Sequence, residues 1–124
     1  MPELPEVETV KEALNQTVKG QTIKDIELRY EPMVKNMSAD EFKEKLINQT
    51  IQEVSRRGKY LVFHFDDYQL LSHLRMEGKY FYVDSDFELN PHVHAIFTLE
   101  NGKRLLYQDT RKFGTYHLYD KAID

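Results

Sequence analysis

Behind the initiator methionine the chain reads Pro2-Glu3-Leu4-Pro5-Glu6. Methionine is normally trimmed before a residue as small as proline, which leaves Pro2 as a free secondary amine. Such an amine attacks an electrophilic carbon and becomes a cationic iminium, the kind of electron sink that lysine Schiff bases provide. An α-amine titrates at about 7.7 to 8.0 in model peptides, so a neutral fraction exists at physiological pH. Glu3 adjoins this amine and Glu6 lies one helical turn further along the same face. Paired carboxylates flanking an amine suit general acid and base work. The plainer alternative is an ordinary Met-Pro opening followed by acids, which favour the first turn of a helix.

Further along, Lys59 follows Arg56-Arg57-Gly58 at an expected strand start. It is either a phosphate ligand, a second amine, or an exposed turn lysine. Met76 lies in His73-Leu74-Arg75-Met76-Glu77-Gly78, where it is either a capped core residue or a flexible apolar wedge. Arg111 and Phe113 bracket Lys112 in a loop that ends at Gly114. An arginine near an exposed aromatic is one way to stack against or replace a base, although by its local pattern alone Phe113 reads as core. His92 and His94 are expected on one strand face, but two imidazoles need further ligands and spacing supplies none, so structural or phosphate-contacting roles are favoured over a metal. A Gly-rich phosphate loop, G-x-S-x-G and H-E-x-x-H are all missing, which removes those enzyme classes.

The elements that must carry these residues fit one domain of 124 residues. The absence of cysteine excludes thiolate zinc sites, disulfides and a cysteine nucleophile, and fits a reducing, cytoplasmic compartment. No apolar run is long enough to cross a membrane. The net charge of −4 argues weakly against nucleic acid, yet it averages two unlike parts. Residues 1–54 hold 7 basic and 11 acidic residues, whereas residues 55–112 hold 9 and 8, with the basic ones bunched.

Leu4, Val7, Val10, Leu14 and Val18 have helical spacing up to a stop at Gly20, with Pro5 in the first turn. Ile26, Leu28 and Tyr30 alternate as a strand, and Ser38-Ala39-Asp40-Glu41 is a capping box that opens a second helix. Segments 50–55, 59–65, 68–76 and 79–83 then read as strands joined in hairpins. The polar stretch 84–91 is a loop, and 92–100 and 103–109 flank the Asn101-Gly102 turn as an antiparallel pair. A last strand covers 115–119. The triplet Gly-Lys-Tyr occurs at 58–60 and again at 78–80, each copy opening a strand. The expected class is α+β, mainly β: a two-layered antiparallel β-sandwich of about eight strands flanked by two helices.

Four ordered motifs together carry a family resemblance. Pro2 to Thr9, Ser55-Arg56-Arg57-Gly58-Lys59-Tyr60-Leu61, His73 to Gly78, and Asp109-Thr110-Arg111-Lys112-Phe113-Gly114 resemble the N-terminal domain of bacterial formamidopyrimidine-DNA glycosylase. The resemblance spans nearly the whole chain and implies excision of oxidised purines such as 8-oxoguanine, followed by strand cleavage at the abasic site. It gives Pro2 the attack on the sugar C1′, Glu3 the protonation of the ring oxygen, Glu6 a place in the same pocket, and Lys59 a place near the lesion and its phosphates. Met76, Arg111 and Phe113 correspond to the side chains that fill the gap left by the flipped nucleotide, with Arg111 reaching the orphaned base; His73 and Arg75 are expected at DNA from the same motif. The related endonuclease VIII branch has glycine where this chain has Leu4.

The family continues into a helix-two-turns-helix segment and a four-cysteine zinc finger. Neither is present here, so no cofactor is expected in this chain. The implied partner is double-stranded DNA bearing oxidised purines or abasic sites, met as a monomer in the bacterial cytoplasm at the nucleoid, without a membrane. Two rival readings remain: a DNA-interaction domain that cannot complete the chemistry alone, and a small proline-amine enzyme acting on carbonyl metabolites.

Overall fold

The computed structural model describes residues 3–121. The helical spacing at the start produces α1 (Leu4–Thr17), with a proline in its first turn and Glu3 at its N-cap. Val7, Leu14 and Val18 are buried, whereas Leu4 is 42% exposed and lies outside the core. Val18 closes the helix through its N–H to the Leu14 carbonyl at 2.8 Å, and Gly20 turns the chain away with φ 87°. In α2 (Ala39–Leu46) the Ser38 hydroxyl accepts the Glu41 N–H at 3.1 Å, the bond that the capping box requires. Phe42 and Leu46 are fully buried on its inner face.

Eight strands follow the expected order: β1 (Ile23–Leu28), β2 (Glu53–Arg57), β3 (Tyr60–His64), β4 (Tyr68–His73), β5 (Lys79–Val83), β6 (Val93–Leu99), β7 (Arg104–Gln108) and β8 (Thr115–Asp120). They form two four-stranded sheets. Sheet I has the order β1-β6-β7-β5 and sheet II the order β2-β3-β4-β8, with antiparallel neighbours throughout. The α+β sandwich read from the sequence is therefore the observed architecture.

Three expectations need correction. Tyr30 is outside β1; the strand ends at Leu28 and Tyr30 precedes a short 3-10 turn, Glu31–Met33. The segments 68–76 and 79–83 do not form a hairpin, because β4 stops at His73 and the chain crosses to sheet I, where β5 pairs with β7. His92 precedes β6 and is exposed, whereas His94 is buried within it, and an irregularity in pairing falls between Val93 and Ala95. The two histidines thus do not share a face.

The repeated Gly-Lys-Tyr triplet serves two purposes. Gly58 and Lys59 are the two-residue turn between β2 and β3, and Gly58 takes φ 58° at its first position, where glycine is favoured. Gly78 is needed for space: a Cβ there would lie 2.7 Å from the Leu74 carbonyl oxygen.

The sheets close on an aromatic core in which Tyr116 of β8 meets Phe42, Phe97 and Tyr107 at ring distances of 5.7, 6.1 and 5.7 Å. A smaller cluster of Val93, Ile96 and Leu106, covered by Val83 and Leu89, buries the other face of sheet I. β6 is consequently buried on both faces and reads as an apolar run.

Both edges of sheet II are met by asparagine amides. From α1, Asn15 donates to the Val54 carbonyl at 2.7 Å and accepts the Val54 N–H at 2.8 Å. On the opposite edge Asn36 donates to the Leu118 carbonyl at 2.8 Å and accepts the Leu118 N–H at 3.1 Å. Each amide supplies the pair of bonds that another strand would make. Replacing Asn15 with Ala strands both backbone groups of Val54 and should lower the unfolding free energy by about 1–3 kcal/mol. Asn15→Asp restores only the acceptor and sets a carboxylate against a carbonyl, so it should be no better than Ala. Urea unfolding of the two variants checks this, and an unchanged midpoint for either would exclude the edge-pairing role.

Candidate functional site

Strand register fixes the site. Arg57 pairs with Tyr60, Tyr60 with His73, and His73 with Thr115. The 58–59 turn, the 74–78 connection and the 109–114 connection therefore leave sheet II at the same end. The two connections are both crossings from one sheet to the other, β4 to β5 and β7 to β8.

Helix α1 brings its N-terminal end to this place. Asn15 is bound at Val54, and two turns nearer the N-terminus Glu8 accepts Nε of Arg56 at 3.0 Å. Arg56 also donates from Nη1 to the Gly58 carbonyl at 3.0 Å, so one guanidinium ties the helix to the turn. Lys11, 2.6 Å from Glu8, and then Arg56 hold the Glu8 carboxyl below its ordinary range. Glu3 is exposed at the N-cap, its carbonyl accepting the N–H groups of Glu6 at 3.0 Å and Val7 at 3.1 Å. Pro2 lies outside the described residues.

Glu6 faces a cavity of about 290 Å³, which it lines together with Val10, Leu74, Met76, Glu77 and Tyr80. Lys59, half-buried in its turn, is close enough to His73 for its charge to be felt there. His73 is buried; its ring meets Tyr60 edge-on at 4.6 Å, and its Nδ1 accepts the Arg75 N–H at 3.0 Å. That bond fixes the neutral ring with its proton on Nε2. It also supports Arg75 at φ 56°, a left-handed conformation that costs a non-glycine residue about 1–2 kcal/mol.

Met76 and Phe113 are 47% and 51% exposed. The core placement that local pattern gives Phe113, and the capped-core alternative for Met76, are thus both incorrect. Each sits on a sheet-crossing connection whose inward positions are taken by other residues. Arg111 is also exposed, with Nε 3.5 Å from Glu77. Glu77 accepts the Thr110 hydroxyl as well and so joins the two connections on their outer side. Lys112 has φ 59°, and its ammonium lies over the Tyr30 ring at 5.1 Å.

His94 proves structural, its Nε2 lying 2.6 Å from the Asp109 carbonyl oxygen. His92 contributes its backbone, its carbonyl accepting the Asp109 N–H at 3.0 Å. Among the described residues no group of three or more His, Asp or Glu side chains converges on a point that could hold a metal, and no helix among them is long and apolar enough to cross a membrane.

Sequence reasoning singled out neither Glu77 nor Asp109, although both lie in quoted motifs. Asp109 is 1% exposed, and its Oδ1 accepts the Arg111 N–H at 3.1 Å while its Oδ2 accepts the Gly114 N–H at 2.7 Å. An aspartate two residues before a turn N–H is a recognised turn signal, so the 109–111 bond was open to inference. Its burial was not.

The family model for the N-terminal domain of formamidopyrimidine-DNA glycosylase matches residues 1–116. Formamidopyrimidine-DNA glycosylase of Bacillus subtilis is 52% identical over 120 residues, covering 96% of this chain and 44% of the relative. That of Cytobacillus firmus is 51% identical over 126 residues, covering 100% and 46%. The chain thus spans just under half the length of these relatives. Among solved structures, Lactococcus lactis Fpg in complex with DNA containing an abasic site superposes with a TM-score of 0.92 at 45% identity, over 97% of this chain and 45% of that one. A second complex of Lactococcus lactis Fpg, with Fapy-dG-containing DNA, gives 0.91 at 45% identity, over 96% and 44%.

The His73 ring resists protonation below its ordinary value of 6.5, first because it is buried and then because Arg75 and Lys59 are positive. The unfolded chain takes up that proton more readily than the folded one. The stability gained from a neutral His73 is therefore complete above about pH 6.5, declines as pH falls towards the lowered folded value, and is constant below it. Urea midpoints between pH 5 and 8 should fall more steeply with acid in the wild type than in His73→Asn, and parallel curves would refute the assignment.

Proposed function

Because the chain belongs to the formamidopyrimidine-DNA glycosylase family, through that family's N-terminal domain, we propose that it is the catalytic part of a DNA base-excision enzyme that removes oxidised purines and then cuts the strand. In this reading the protein continues into a helix-two-turns-helix and zinc-finger half, which grips the duplex from the other side and supplies positive charge that this domain, at −4, lacks. It acts on chromosomal DNA in the bacterial cytoplasm. The observation that carries the reading is the gathering of the α1 N-terminus, the Lys59 turn and both sheet-crossing connections at one end of the sandwich.

The chemistry begins with removal of Met1, since an acylated Pro2 nitrogen is an amide whose lone pair is delocalised. The freed Pro2 nitrogen attacks C1′ of the damaged nucleotide; the C1′–N bond electrons leave with the base, which takes up the proton that the Pro2 nitrogen gives up. Glu3 delivers a proton to the ring oxygen as the C1′–O bond breaks, giving the open-chain iminium. The iminium acidifies the C2′ hydrogen; its loss expels the 3′ phosphate, and water then releases the protein. Glu6 lines the cavity beside Met76 and suits a pocket that holds the extruded base. Lys59, with Arg75 and His73 beside it, offers donors to the phosphates flanking the lesion. The exposed Met76, Arg111 and Phe113 enter the stack and partly replace what base flipping, which costs a few kcal/mol, removes.

Borohydride trapping on an abasic duplex should give a covalent adduct with protein lacking Met1 and none with protein that retains it. Efficient trapping by a protein whose intact mass includes Met1 would remove Pro2 from its role. In the complete enzyme Glu3→Gln should lower base excision by about 10² to 10⁴, the range of general acid and base catalysis. Lys59→Ala should impair excision more than cleavage of a preformed abasic site, and equal losses would give Lys59 a different role.

A second reading, a DNA-interaction fragment that cannot act alone, is favoured by the match to just under half of each relative. For the 124 residues in isolation we expect salt-sensitive, non-specific duplex binding at roughly 10⁻⁴ to 10⁻⁶ M and negligible release of 8-oxoguanine. Nanomolar lesion-specific binding with multiple turnovers would show that the absent half is dispensable.

A further inference from the structure

Tyr107, near the end of β7, is 2% exposed, and its phenol oxygen lies between the two sheet-crossing connections. It donates to Oδ2 of Asp109 at 3.0 Å, and that same oxygen accepts the Gly114 N–H at 2.7 Å. A Cβ built on Gly114 would lie 1.6 Å from the phenol oxygen, and one built on Gly78 would lie 2.4 Å from it. One oxygen atom therefore requires glycine at the end of each connection. Asp109 extends the arrangement along the second connection through the N–H groups of Arg111 and Gly114, and its carbonyl is fixed by His94. On the outer side Glu77 reaches Thr110 and Arg111. The 74–78 and 109–114 segments are thus bonded to each other at the front through Glu77 and pack at the back against one phenol oxygen, which bonds to Asp109 and lies close against Gly78. Each contains one non-glycine residue with positive φ, Arg75 at 56° and Lys112 at 59°.

We propose that the Tyr107 hydroxyl and the Asp109 carboxylate are positioning residues that lock these two connections together, so that Met76, Arg111 and Phe113 enter a duplex as one preformed wedge. The inference rests on the reading of those three side chains as insertion residues, and adds that they act jointly through a buried contact none of them makes. Insertion repays unstacking only if the inserted groups need little further ordering, and a locked pair of connections provides that order in advance. Tyr107 and Asp109 touch no DNA in this scheme.

The test uses the complete enzyme without Met1, a duplex carrying 8-oxoguanine with 2-aminopurine in the opposite strand, and a single-stranded abasic oligonucleotide that needs no insertion. Tyr107→Phe keeps the ring and removes the hydroxyl. It should slow both the 2-aminopurine fluorescence rise and duplex excision by about tenfold, with cleavage of the single strand within about twofold of wild type. In a Met76→Ala/Phe113→Ala/Arg111→Ala background the same change should matter by less than about twofold, because the groups it positions are gone. Gly114→Ala, which drives the phenol off Asp109, should give the same pattern and serves as the second variant. Equal losses on duplex and single strand, or full additivity with the triple variant, would make Tyr107 merely structural and overturn the proposal. If the wild type itself shows no fluorescence rise, the insertion reading fails and the proposal with it; a normal wild-type rise with an unaffected Tyr107→Phe overturns the coupling alone.

Discussion

The burial of Tyr116 is the contact on which the rest of the molecule depends. It sits on β8 of sheet II yet stacks on Phe97 of sheet I and on Phe42 of α2, and its hydroxyl meets that of Tyr80 at 2.7 Å. Tyr80 passes the connection to Ser72 of β4, also at 2.7 Å. A polar chain inside an apolar sandwich tolerates few arrangements, because each hydroxyl left alone would be costly. Burial pushes the Tyr80 and Tyr116 phenols well above their ordinary values, so both remain neutral donors and acceptors. With the sheets fixed at this point, the crossings from β4 to β5 and from β7 to β8 can leave side by side at the same end.

Features set by local sequence were legible. The α1 stripe beyond Leu4, with Pro5 in its first turn, and the Ser38 cap depend on residues within a few positions and have the expected form. Asn101-Gly102 does join β6 to β7, but Leu99 pairs with Lys103 around a three-residue loop in which Gly102 has positive φ, rather than across the two-residue turn expected. Partnership between distant strands was not legible in the same way. Nothing near Gly78 shows that β5 will leave β4 for β7, since the strand pattern is the same whichever neighbour accepts it. Phe113 misled for a related reason. An aromatic beside a strand is usually core, and only the crossing of the 109–114 segment, with Gly114 and Asp109 turned inward, leaves it outside.

The candidate site was legible as a set of residue types and illegible as a set of supports. Glu3, Lys59, Met76 and Arg111 could be picked out as candidates by type and motif, as could Pro2, which lies outside the described residues. Asp109 and Tyr107 do not, because an aspartate after a strand and a tyrosine within one are ordinary until their burial is known. Asn15 belongs with them: in the sequence it is a polar residue on a helix, and only the position of β2 makes its amide a surrogate for strand backbone.

The two asparagines have a consequence for the life of the protein in a crowded cell. A sheet that ends in a row of open N–H and C=O groups is a template on which another chain can lengthen it, by swapping or by fibril growth. In sheet II, Asn15 and Asn36 engage the N–H and C=O of Val54 and Leu118 on its two outer strands from within the chain. A helix side chain and a loop side chain can occupy such an edge but cannot propagate it, so sheet II is closed at these positions without becoming a barrel. Two neutral amides, joined on the β8 edge by the Lys35 N–H at the Tyr116 carbonyl, thus occupy the edges of sheet II and leave the charged residues at the end of the sandwich to other uses.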